Sequence, residues 1–409
     1  LLLLLPFIIP VLVDDAFAAK GDITAVRAQS LGNVFEFDGG KATANSVVKV
    51  DSDTYAIAYT GADNDGFIST FTISSDGTTI TEVDNLEHDT EFGNENHLVK
   101  VDSDTYALAY RGADSDGFIS TFTIDSDGNI TAVKTQSEGN NLEHDTDTGA
   151  QNSLVQVDSD TYALAYTGAD NDGFISTFTI DSDGVITPIR IQDHTNHASA
   201  SANLEHDTSF GTHSSMIHVD SDTYALAYRG TDDDGFISTF TISSDGTTIT
   251  EVDNLEHDTE FGNENHLVKV DSDTYALAYR GADSDGFIST FTIDSDGNIT
   301  AVNSLEYVEH GTEIIADNHL VHVDSDTYAL AYNIQNNGGH ISTFTISDDG
   351  STITELDSLE HDTAMDSWWQ GLVKVDSDTI AYAYHDVPLG YQGYIATFTI
   401  GDTSTDDST

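Results

Sequence analysis

The chain has 409 residues, with 72 Asp and Glu against 12 Lys and Arg, a formal net charge of −60, and no cysteine. Such a charge repels phosphate backbones and anionic lipid heads, which argues against nucleic-acid and membrane-surface partners; without cysteine there is no disulfide or thiolate chemistry. Hydrophobic residues at 38%, among them 19 Phe and 17 Tyr, supply a sizeable core and exclude a chain disordered by composition.

Residues 1–13 are an apolar run interrupted by Pro6 and Pro10. It is shorter than the roughly 20 residues of a membrane span and is followed by Ala16-Phe17-Ala18, a small-x-small cleavage pattern. Residues 1–19 are therefore expected to be an export signal or an apolar N-terminal segment. The mature protein is expected to be secreted, extracellular or on the cell surface, with no membrane span. Self-repulsion at this charge suits a salty medium or bound divalent cations, since the Debye length falls to about 3–8 Å between 1 M and 0.15 M salt.

The string VDSDT begins at Val50, Val101, Val157, Val219, Val270, Val323 and Val375. A period near 50 residues, read as four short strands per unit, belongs to β-propellers. In the second copy, HLVKV (97–101) is an apolar strand and Asp102-Ser103-Asp104 turns it. TYALAY (105–110) alternates strictly, with Tyr106, Leu108 and Tyr110 on one face and Ala107 and Ala109 on the other. GADSDG (112–117) reads as a loop, and FISTFTI (118–124) as a third strand rich in aromatic and β-branched residues. Asp127-Gly128 predicts a type I′ hairpin with both residues at positive φ, and NITAV (129–133) a fourth strand. A polar loop containing LEHDT then leads to the next copy. No stretch has a helical period.

The last copy stops after its third strand, YIATFTI (394–400), while GDITAV (21–26) matches the missing fourth strand. The expected fold is therefore all-β: a single seven-bladed β-propeller of four-stranded antiparallel blades over residues 20–401, closed by the N-terminal strand completing the last blade. A polar tail, 402–409, follows. The strand order is similar to that of WD-repeat propellers, although the Trp-Asp dipeptide is absent; two β-sandwiches are the alternative. Closure removes exposed sheet edges. Residues 65–133 and 234–302 are identical, which speaks for multivalent or structural use rather than one asymmetric catalytic pocket.

In this order the LEHDT segments and the loops between second and third strands share one face. The first carry His88, His144, His206, His257 and His361, with His310 in a variant EHGT; the second carry Asp114, Asp116, Asp283, Asp285 and their equivalents. A structural hydrogen bond from each His to an Asp of its own blade is one reading, and divalent metal binding by both is the other. NVFEFDGG stands in place of LEHDT ahead of the first copy. His97, His266 and His319 open first strands and would face the axis in a mixed ring with Asn152, Ser215 and Gln370 or Gly371. On the opposite face, Asp51, Asp53, Asp102 and Asp104 are oxygen ligands of the type Ca²⁺ takes, and are equally ordinary turn residues. The least repetitive segments are 188–203, 366–371 and 385–394, where Trp368, Trp369, His385 and Tyr391 are candidates for a glycan or other ligand. Asn129 and Asn298 lie in glycosylation sequons. No GxSxG, HExxH or phosphate-loop motif is present.

Through VDSDTYALAY and GFISTFTI, residues 21–400 resemble secreted acidic propeller-repeat proteins of marine microbes. That resemblance implies export and propeller architecture, and no reaction. The sequence thus predicts a non-enzymatic extracellular repeat protein: a structural or adhesive surface component or fibre subunit that forms homo-oligomers or meets a glycan or surface protein. A carbohydrate-binding or carbohydrate-active propeller and a protein-interaction scaffold are the alternatives.

Overall fold

A computed structural model describes residues 19–192, 196–302, 308–335, 337–363, 371–386 and 390–401. The second copy shows how each unit folds. Its strands run Asn94–Lys100, Thr105–Arg111, Gly117–Ile124 and Ile130–Lys134, all antiparallel, from the axis outward. Seven such sheets form: blade 1 (residues 43–89), blade 2 (94–145), blade 3 (150–207), blade 4 (212–258), blade 5 (263–311), blade 6 (315–362) and blade 7 (371–400 with 23–38). Each inner strand meets the inner strands of both neighbouring blades, including that of blade 7 against that of blade 1, so the ring is closed. No helix among the described residues is long and apolar enough to cross a membrane.

The core lies between blades. TYALAY puts Tyr106, Leu108 and Tyr110 on one face, where they pack with Phe122 against Ala56, Ala58 and Ile68 of blade 1. Ala107 and Ala109 face the other way, onto Tyr162, Leu164 and Tyr166 of blade 3. Every blade thus offers a bulky face to one neighbour and a small-residue face to the next, and the alternation in the sequence is what lets the sheets nest.

A ring of side-chain hydrogen bonds runs through all seven boundaries. Thr70, Thr121, Thr177, Thr239, Thr290, Thr343 and Thr397 donate to the carbonyls of Gly128, Gly184, Gly246, Gly297, Gly350, Gly21 and Gly77 of the next blade, at 2.6–2.8 Å. Gly21 belongs to the chain's N-terminal stretch, yet serves blade 7 as the turn glycine serves the others. Strand Ile23–Arg27 pairs with Gln392–Ile400, and Phe35–Asp38 extends the same edge.

Two sequence expectations are corrected. The SDG turn is not type I′: Gly128 is left-handed at φ 85° but Asp127 is not, and the Gly128 N–H bonds the Asp125 carbonyl at 2.9 Å. This is a turn closed by one left-handed glycine, the commoner solution when the loop is longer than two residues. LEHDT is not a loop either. Leu-Glu-His-Asp forms the second half of the outer strand, continuous with the first half in Ile80–Asp89, Ile249–Asp258 and Ile353–Asp362, and set off from it as Leu142–Asp145 and Leu204–Asp207 in blades 2 and 3. Extra residues between those halves account for the wider spacing after Val101 and Val157.

Glycine fixes the approach of consecutive segments at these outer strands. A Cβ on Gly149 would lie 2.1 Å from the Gly117 Cα, and one on Gly117 would lie 2.4 Å from His144 Cε1. Backbone cannot swing away as a side chain can. Gly149→Ala is expected to cost on the order of 3 kcal/mol, read as a lowered denaturation midpoint; an unchanged midpoint would contradict this packing.

Candidate functional site

The site is built where the inner strands begin, at the face that carries the LEHDT segments. Pairing with the second strands puts Ser46, His97, Ser153, Ser215, His266, His319 and Gly371 at equivalent positions around the axis, each opposite an alanine. The mixed polar ring expected from the sequence is thus assembled, with His97, His266 and His319 in it. Asn152 sits one residue earlier on its strand, and Gln370 lies outside the described residues.

This ring is stitched to itself. Leu98 N–H donates to Ser46 Oγ at 3.0 Å, Leu154 N–H to His97 Nδ1 at 3.1 Å and Met216 N–H to Ser153 Oγ at 2.9 Å. Leu267 N–H donates to Ser215 Oγ at 3.0 Å and Leu320 N–H to His266 Nδ1 at 3.3 Å. In every case the donor is the next blade's inner strand. Burial holds His97 and His266 down at about 4 and His319 well below the ordinary imidazole range, with the rings of His266 and His319 only 4.1 Å apart.

Two residues nearer the strand starts is a second ring that sequence reasoning missed: Glu95, Gln151, His213, Glu264 and Asp317. All five are left-handed, with φ from 51° to 57°, at bulges that break the register between the first and second strands. A bulge re-aims the side chain it carries. Gln151 N–H bonds Glu95 Oε2 at 2.5 Å, and His213 N–H bonds Gln151 Oε1 at 2.8 Å. Asp317 N–H bonds Glu264. Arg111 lies 3.6 Å from Glu95 and Arg280 3.2 Å from Glu264. Burial pushes both glutamates above the usual carboxylate range, and the arginines oppose that. The available signal was divergence: these positions read Glu, Gln, His, Glu and Asp in units otherwise nearly identical. The two rings, with an Asn or Ser layer between them, enclose an axial cavity of about 400 Å³.

No family model matches the chain, and no curated protein does. Solved structures do. A 6-phosphogluconolactonase candidate from Bacteroides uniformis superposes with a TM-score of 0.59 at 13% identity, over 86% of this chain and 95% of that one. The periplasmic gluconolactonase of Pseudomonas aeruginosa gives 0.53 at 14%, over 80% and 86%, and a protein from Lactobacillus plantarum gives 0.53 at 17%, over 86% and 99%. At these identities the likeness is one of propeller fold alone.

The outer-strand histidines do something other than expected. No bond to an Asp of the same blade forms. His88, His144, His206, His257 and His361 are found with neither ring nitrogen hydrogen-bonded. Each ring instead enters the next blade. His88 stands perpendicular to Tyr110 at 4.9 Å and to Phe122 at 5.8 Å; His144 meets Tyr166, His206 Tyr228, His257 Tyr279, His310 Tyr332 and His361 Tyr384 in the same way. At the seventh boundary the place belongs to Phe37, 5.3 Å from Tyr59 and 5.8 Å from Phe71. A phenyl ring in the position shows that it is a packing position. NVFEFDGG is thereby the LEHDT counterpart of blade 7. Burial drives the six imidazoles down to about 3. The following aspartate reaches across the boundary: Tyr110 and Tyr166 donate to Asp89 and Asp145, each at 2.9 Å.

Among the described residues, no three His, Asp or Glu converge as a metal site. Asp51 and Asp102 accept the N–H of Ser52 and Ser103 at 2.5 and 2.6 Å, and Asp53 and Asp104 accept the hydroxyls of the same serines; these carboxylates shape their own turns. Asp114, Asp116, Asp283 and Asp285 lie in tight turns on the opposite face, the first of each pair exposed and the second half-buried. His385 is buried, held at about 4 chiefly by burial, and its ring lies 5.8 Å from exposed Tyr391. Trp368 and Trp369 lie outside the described residues, as do 1–18 and 402–409. Asn129 and Asn298 are exposed, but their amide nitrogens donate to both carboxylate oxygens of Asp125 and Asp294 at 2.9–3.1 Å.

Proposed function

We propose that this chain is a non-enzymatic extracellular repeat protein, a structural or adhesive surface component or fibre subunit working through multivalent blade surfaces. The observation that carries this reading is the repetition of one acidic turn in one conformation. Asp63, Asp114, Asp170, Asp232 and Asp283 hold φ between 54° and 61° and ψ between 8° and 17° in blades 1 to 5. Five copies on one rigid face favour a partner with repeated complementary groups, because contacts weak singly gain from effective concentration. Ca²⁺ enters as a screening and bridging ion between such turns on neighbouring molecules, not as a cofactor in a cage. The axial histidines support the non-enzymatic part: with Nδ1 engaged and titration near 4, His97 and His266 are poorly matched to general base work at neutral pH.

Imaging of native material is the test, with lattices, fibres or a surface coat expected; isolated discs would contradict it. In dilute low-salt solution, Ca²⁺ is expected to raise the thermal midpoint by several degrees and to increase the sedimentation coefficient, with NaCl of equal ionic strength doing only the first. Sedimentation unmoved by Ca²⁺ would count against assembly through these turns.

A further inference from the structure

The axial cavity differs from the repeated faces in being singular, and its two polar layers are complementary in kind. In the ring of Ser46, His97, Ser153, Ser215 and His266, every side chain already accepts a backbone N–H. A neutral imidazole that accepts at Nδ1 carries its proton on Nε2. A serine oxygen that accepts there keeps its O–H to donate elsewhere. These five residues therefore form a collar of neutral donors. The layer beside it is the reverse. Asn152 spends its Nδ2 on the carbonyls of Gly149 and Glu95 at 3.3 and 3.4 Å, and Asn265 on those of Gly262 and His213, both at 3.2 Å. That fixes the amide orientation and leaves the Oδ1 of each, on a side chain more than nine-tenths buried, without a partner. Buried acceptors without partners cost about 1–3 kcal/mol each, a cost recovered when a donor arrives.

Charge narrows the guest further. Arg111 and Arg280 are paired with Glu95 and Glu264, and Asp317 adds a carboxylate to the wall, so among the described residues an anion finds no unpaired cation lining the cavity of a chain of net charge −60. At His97 and His266, two of the ring's three histidines, the Nε2 position holds a proton and offers a metal ion no lone pair. An organic cation would meet N–H and O–H donors at the collar, and two of the wall's carboxylates, Glu95 and Glu264, are already paired with arginines. A hydroxyl both donates and accepts, and about 400 Å³ lies within the range of small-molecule sites.

We infer that the axial cavity is a single binding site for an uncharged polyhydroxylated ligand of monosaccharide size. The donor collar receives its oxygens, and Asn152 and Asn265 receive its hydroxyl protons. This site is independent of the assembly proposed for the acidic turns.

The test titrates the full chain with D-glucose, D-galactose, myo-inositol and glycerol, and with glucuronate and glucosamine as charged counterparts. It is followed by calorimetry and by the side-chain nitrogen signals of His97 and His266. At least one neutral compound is expected to bind at one molecule per chain, to shift both signals, and to bind about tenfold more weakly to Asn265→Leu, the loss of about one hydrogen bond. Asn265 also ties two carbonyls, so the wild-type stoichiometry and the histidine signals decide the matter if that variant does not fold. Failure of every neutral compound at its solubility limit, tighter binding of a charged counterpart, several molecules per chain, or binding that leaves both signals unmoved would overturn the inference.

Discussion

Mild acid is expected to unfold this protein cooperatively between about pH 6 and pH 4.5. His88, His144, His206, His213, His257, His310 and His361 all titrate at about 3 in the folded chain, chiefly because they are buried. Unfolded, each returns to about 6.5 and takes up a proton that the folded state refuses. Stability is therefore intact above pH 6.5 and is lost as pH falls below it, by about 1.4 kcal/mol per pH unit per imidazole once the unfolded ring is charged. Seven of them approach 10 kcal/mol per pH unit, against a typical total stability of about 5–15 kcal/mol. Two effects oppose this. Acid relieves the repulsion of a −60 chain, and carboxyls raised by burial, such as Asp89, Asp145 and Glu95, bind protons more readily when folded. The histidines win because their unfolded form titrates some two pH units above an unfolded carboxylate. Circular dichroism of equilibrated samples at fixed ionic strength measures this; a native spectrum at pH 4 would refute it.

Removing residues 1–38 is expected to abolish the soluble native state. The deletion strips both outer segments from Gln392–Ile400 and exposes its edge, an invitation to intermolecular pairing. It uncovers Phe398 and Ile400, takes Phe37 from Tyr59 and Phe71, and leaves the Thr343 hydroxyl without the Gly21 carbonyl. Losing the contacts of one blade boundary exceeds what a single substitution removes, and the product should aggregate at neutral pH. The geometry supplies a rescue. Gly21 N–H bonds the Gly401 carbonyl at 2.8 Å, and Gly401 N–H bonds the Asp22 carbonyl at 2.8 Å. A permutant that begins at residue 40 and carries residues 19–39 after residue 401 closes the same ring and should be soluble with a native spectrum. A soluble, cooperatively folded deletion would contradict the role given to the N-terminal strand.

Much of this architecture was legible in the chain. VDSDT counted the blades, YALAY gave the bulky and small faces, and the partial match of GDITAV to GNITAV placed the closing strand. The outer strand was legible only in its first half. Leu-Glu-His-Asp alternates as a strand should, with Leu86 half-buried, Glu87 exposed and His88 buried, but a histidine counted as polar hides that period. The packing partner lies in the next blade, some 20 residues away in sequence, and no local rule reports it. The axial site was half legible for a similar reason. Its three histidines stand at strand starts, but the left-handed bulge that aims Glu95, Gln151, His213, Glu264 and Asp317 has no residue signature: none of the five is the glycine or asparagine that usually marks a left-handed position. Which ring nitrogen accepts, and so whether His97 is a donor or a ligand toward the cavity, depends on a backbone N–H from another blade.

The inter-blade histidines of this propeller are neutral aromatic clasps, and His97 and His266 are neutral donors toward the axis. Side-chain nitrogen NMR at pH 6, where a solvated imidazole is mostly protonated, tests this directly. Neutral rings are predicted for His88, His144, His206, His257 and His361, together with the Nε2–H tautomer for His97 and His266. Imidazolium signals from the first group, or Nδ1–H at His97 and His266, would contradict it.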